Sequence, residues 1–102
     1  MGQAVLHVEG LPATPLDAAA AFHAEFLPRA RASLAQDEEL VLVFDPAGHE
    51  HRTWRLAVVQ ELAREAAPKR VNAVAGADRA ALAETLDFLA GAPGVTGQLL
   101  AV

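Results

Sequence analysis

The densest group of chemically able side chains in this sequence is the run Asp45-Pro46-Ala47-Gly48-His49-Glu50-His51-Arg52. Asp45, His49 and His51 carry donor types that bind a divalent cation. The same residues suit proton transfer, with His49 or His51 paired to Asp45 or Glu50 as a general acid/base couple. An H-x-H pair needs further ligands before it makes a metal site. The competing reading is a polar loop, with Asp45-Pro46 starting a turn and His49-Glu50 opening a helix. Elsewhere the signals are weaker. His7 alternates with Leu6 and Val8 and reads as an edge or interface residue of a strand. His23, beside Phe22, reads as a helix residue facing solvent or a partner. Asp37-Glu38-Glu39 reads as a solvated turn. There is no cysteine, which excludes disulfides and thiolate metal sites.

The elements around that loop decide where it lies. Leu40–Phe44, LVLVF, is apolar without alternation, which suits a parallel strand buried on both faces. Ala4–Val8, Val71–Ala75 and Gln98–Val102 are three further strand candidates. Three helical stretches separate the four. The order β-α-β-α-β-α-β implies an α/β fold with a mainly parallel sheet, in a single domain over residues 1–102. The Asp45–Arg52 run then sits at the C-terminal end of a strand, where such sheets place their sites.

The first helix has a start signal in Thr14, Pro15 and Asp17. Phe22, Phe26, Ala30 and Leu34 form one stripe along it, and Pro28 should kink or divide it. The second runs from about Glu50 to Ala67, closed by Pro68. The third starts at Asp78 as a cap and ends near Gly91. On the second helix Trp54, Leu56, Val58, Val59, Leu62, Ala63 and Ala66 cover roughly 200° of the circumference. One arc can face the sheet. The other needs a second cover, from the first helix or from a partner subunit.

Bulk properties narrow the function classes. A net charge of −5, with one lysine and seven scattered arginines, argues against nucleic acid. The 53% hydrophobic and 21% charged composition is that of a globular chain. No stretch approaches a membrane span, and residues 1–20 do not read as a targeting signal. These absences favour a cytoplasmic protein.

Two segments carry a family resemblance. Residues 54–76, WRLAVVQELAREAAPKRVNAVAG, resemble the helix and strand that end in "ELAPRGIRVNAVAPG" in short-chain dehydrogenases/reductases. Residues 81–102, ALAETLDFLAGAPGVTGQLLAV, resemble that family's last helix and strand. The match over residues 1–53 rests mostly on element order. The resemblance implies the C-terminal half of the family fold: a half-Rossmann-like, four-stranded sheet in order 1-2-3-4 with three helices. It also implies that the last helix lies on the opposite face from the other two.

The family's chemistry has no counterpart here. Its catalytic tyrosine falls at about Gly48 and the lysine at about Arg52, and the chain has no tyrosine. The serine position falls at Asp45 or Pro46, and the asparagine of the preceding helix near Glu25. The structural "NNAG" appears as His7-Val8-Glu9-Gly10. There is no glycine-rich dinucleotide turn, and Gly91, Gly94 and Gly97 precede a strand as a turn. The covering loop after "VNAVA" is cut to Gly76-Ala77. The expectation is a truncated, catalytically incomplete relative with no catalytic residues and no cofactor. It would act as a homodimer or higher homo-oligomer, or as partner of a full-length dehydrogenase. Phe22, Phe26, Trp54, Val58 and Leu62 would lie near the contact. The alternative is a small enzyme or a ligand- or metal-binding protein using Asp45, His49 and His51. A residual nucleotide site at the strand ends is a further enzyme-class version.

Overall fold

A computed structural model describes residues 2–102. The strands are β1 (Gln3–Val8), β2 (Glu39–Phe44), β3 (Arg70–Ala75) and β4 (Leu99–Ala101). They form one sheet in the order β1-β2-β3-β4, and every neighbouring pair is parallel. Leu40 lies between Ala4 and Val71, and Phe44 between Val8 and Ala75. All of β2 is buried, as the unbroken apolar run Leu40–Phe44 requires of all but the strand's first residue. The last strand is shorter than the expected Gln98–Val102.

The helices are α1 (Pro15–Ala21), α2 (Leu27–Gln36), α3 (Arg52–Ala66) and α4 (Arg79–Ala90). α1 and α2 are one helical run, joined by a π-helical segment over Phe22–Phe26. Pro28 explains the join. It has no N–H to give the Ala24 carbonyl, and its ring would crowd that carbonyl. The chain widens one turn instead, so the Leu27 N–H reaches the Phe22 carbonyl. The kink expected at Pro28 is therefore taken up just before it. Thr14 precedes α1 but does not cap it with its side chain. Its hydroxyl donates to the Asp17 carboxylate at 2.8 Å. Asp78 does cap α4, accepting from the N–H groups of Ala80 and Ala81 at 3.0 and 3.2 Å.

Strand alternation sorts the core into two layers. Leu40, Leu42 and Phe44 pack with Leu6, Val8, Val71 and Ala73 against the π-helical segment, α2 and α3. Val41, Val43 and Val74 pack with Leu89 of α4 on the other face, where Leu82, Leu86, Val95 and Leu100 join them. The last helix thus lies opposite the other two, as the resemblance implied. Each connection steps the same way across the sheet. The β3-α4-β4 crossover therefore has the opposite hand from the two before it. The α4 layer does not extend to β1, whose Val5 and His7 are exposed on that face.

One polar residue departs from expectation. Glu39, expected in a solvated turn, is the first residue of β2 and is buried. Register explains it, because β2 is central and Glu39 falls between Gln3 and Arg70. Its carboxylate accepts from Gln3 Nε2 at 3.3 Å and lies 3.5 Å from Arg70 Nη1. Arg70 Nη1 also donates to the Leu89 and Ala92 carbonyls at 2.8 and 3.0 Å. This cluster ties the start of the sheet to the end of α4.

Candidate functional site

The Asp45–Arg52 run leaves the C-terminal end of β2 and enters α3 through a single 3₁₀ turn, His49–His51. Residues Gly10–Ala13 leave the neighbouring end of β1. Between them lies a pocket of about 420 Å³, lined by Leu11, Ala13, Asp45, Glu50, His51 and Arg55 among others. This is the strand-end position expected from the sequence.

The three candidate metal ligands do not converge there. His51 turns inward and is buried. Its Nδ1 lies 3.1 Å from Trp54 Nε1 and its Nε2 lies 2.9 Å from the Ala13 carbonyl. An indole N–H only donates and a carbonyl only accepts. Nδ1 is therefore the acceptor and Nε2 the donor, so both ring nitrogens are engaged. Asp45 and His49 are exposed. Two residues apart in a 3₁₀ turn, His49 and His51 project to different sides. Among the described residues no group of three or more His, Asp or Glu is placed to hold a metal.

Sequence reasoning missed Arg55. It is only 8% exposed. Its guanidinium carbon lies 4.5 Å from the centroid of the Phe44 ring and 5.9 Å from that of Trp54. Nη1 donates to the Asp45 carbonyl at 3.1 Å, while Nε is buried without a partner. Burial pushes the Arg55 pKa below the usual arginine value, and the Asp45 charge partly opposes that. A signal was available: Arg55 falls inside the apolar arc of the second helix, one turn before Val58 and Val59.

Of the expected interface residues, Phe22, Phe26, Val58 and Leu62 are all buried in the chain's own core. Phe22 packs on Phe26, Phe44 and Trp54, with ring centroids 6.1, 6.1 and 5.8 Å away. Phe22 and Phe26 are buried because the α1–α2 run lies on the sheet with this stripe downward. Trp54 is half-buried. With Leu27, Ala57, Val58 and Leu62 it lines a groove of about 620 Å³ between α2 and α3. Arg31 and Glu65 bridge the two helices along that groove, with Nε–Oε2 at 2.9 Å and Nη2–Oε1 at 2.8 Å. The hydrogen bond from Arg31 holds the Glu65 carboxyl below its ordinary value. A depressed carboxyl stabilises the fold above its unfolded pKa, and that support fades as the pH falls through the folded value. Both side chains are half exposed, so the contribution is small.

Four parallel strands in sequential order, with one helix on the far face, define a Rossmann-like α/β unit of half size. The sequence model of the family described as "Short chain dehydrogenase-like protein" (SDR-like) matches residues 6–102, and the chain belongs to that family. Comparison with curated proteins and with solved structures finds no match. No helix among the described residues is long and apolar enough to cross a membrane.

Proposed function

We propose that this member of the family works by association rather than by catalysis, with a second copy of itself as the first partner. The observation that carries this is the groove between α2 and α3. Its floor and walls are Leu27, Trp54, Ala57, Val58 and Leu62. Its rim carries both signs of charge: Arg31 and Arg64 against Glu61 and Glu65. An apolar centre with a mixed-charge rim suits a self-complementary two-fold contact. Against catalysis stand the glycine and arginine at the tyrosine and lysine positions, and the engaged nitrogens of His51. A full-length dehydrogenase is the other partner consistent with the same surface.

Sedimentation tests this. The unmodified protein should run as a dimer or larger even-numbered assembly at micromolar concentration. Ala57 is exposed in the single chain. Ala57→Glu should therefore keep the native circular dichroism and become monomeric. A monodisperse monomer of the unmodified protein would remove the homodimer.

A second outcome is expected from the chemistry. Reduction of carbonyl substrates with either nicotinamide cofactor should stay at background. Turnover abolished by a point change in this chain would overturn the non-catalytic reading.

A further inference from the structure

We infer that the strand-end pocket beside Arg55 is a binding site for a small organic carboxylate. A guanidinium has five N–H donors and is charged at any physiological pH. Among the described residues it has one acceptor, the Asp45 carbonyl, two aromatic faces and the nearby Asp45 charge. No ion pair involves Arg55 among the described residues. Buried cations are ordinarily matched by a carboxylate, and each unsatisfied buried donor has a cost. The Nε of Arg55 is such a donor. Nε itself is closed off in the unliganded chain, so a ligand carboxylate would take the outer N–H donors of the guanidinium from the pocket side.

The rest of the lining selects the ligand. Val8, Leu11, Pro12, Ala13 and Ala18 make one side of the pocket apolar, which favours a short hydrocarbon portion. Asp45 and Glu50 also face it. Two acidic groups beside one arginine disfavour a phosphate dianion or a pyrophosphate and leave a monoanion as the better match. His51 offers the ligand no free ring nitrogen, because Trp54 and the Ala13 carbonyl engage both. The inference does not depend on how the chain associates, since the α2–α3 groove shares no lining residue with this pocket.

Trp54 is the single tryptophan and lies against Arg55, so at a fixed protein concentration, with the oligomeric state checked by sedimentation, its emission reports on the site. Sodium propionate should change that emission saturably, with a dissociation constant on the order of 1 mM. Sodium chloride and inorganic phosphate at equal ionic strength should not. Arg55→Met should lose the response, and Arg55→Lys should weaken it on the order of tenfold. In the unmodified protein the Arg55 Nε–H resonance should shift along the same propionate titration, a readout independent of any variant's folding. Lack of saturation with propionate, an unmoved Nε–H signal, an equal response in Arg55→Met or an equal response to phosphate would each overturn the assignment.

Discussion

Phe22→Ala should destabilise the chain by about 3–5 kcal/mol, the usual cost of emptying an aromatic position in a packed core. Phe22 is fully buried and is the centre of the larger core cluster. It touches the π-helical turn through Phe26, the sheet through Phe44 and α3 through Trp54. Truncation therefore opens a cavity where three elements meet, and none can close it without leaving another. A domain of 102 residues has a total stability of only about 5–15 kcal/mol. The loss should lower the urea midpoint by about a fifth or more, or abolish cooperative folding. Phe22→Leu, which keeps most of the volume, should cost less than half as much. A fall of under about 1 kcal/mol for the alanine variant would show that the neighbouring rings repack.

How much of this was legible in the sequence depends on how far each cause lies along the chain. β2 was readable because five consecutive apolar residues leave no exposed face. Helix ends were readable from Pro15, Pro68 and Asp78, which act within a turn of themselves. The disturbance near Pro28 was readable, though its form was not, since a kink and a π-turn both release the same crowded carbonyl. The side taken by α4 was not readable from pattern at all. Crossover handedness alone points to the other face, and the family resemblance supplied the answer.

The polar interior was the least legible part. Glu39 is buried because Gln3 and Arg70 reach it from 36 and 31 residues away. His51 turns inward to a carbonyl 38 residues earlier. Neither cause leaves a local trace, so Glu39 read as part of a solvated turn and His51 as a candidate ligand in a polar loop. Phe22 and Phe26 were legible as an apolar stripe, but a stripe does not say whether sheet or partner covers it. Arg55 is the exception, since a charge within an apolar helical arc is visible in the sequence by itself.

Asn72→Ala should cost about 2–4 kcal/mol, with the damage concentrated at β4. Asn72 is fully buried in β3, on the face that meets α4. Its Nδ2 donates to the Val95 carbonyl and its Oδ1 accepts from the Gln98 N–H, each at 3.0 Å. Around it, Gly97 N–H donates to the Val71 carbonyl at 2.7 Å and Ala73 N–H to the Gln98 carbonyl at 2.8 Å. The Val71 N–H donates to Thr96 Oγ1 at 3.0 Å. The segment from Val95 to Gln98 is thus stitched to β3, and Gly97 turns it with a φ of 74° that other residues adopt at a cost. β4 has only three residues and one neighbour, so this stitching fixes its register more than its own ladder does. Alanine at position 72 would leave a donor and an acceptor unpaired together. Hydrogen exchange should then accelerate first in Leu99–Ala101, before the rest of the sheet opens. Asn72→Asp should be worse, because it sets a carboxylate against the Val95 carbonyl in a buried position. Unchanged exchange at β4 in Asn72→Ala would mean that Leu100, packed with Val74 and Leu89, holds the strand by itself.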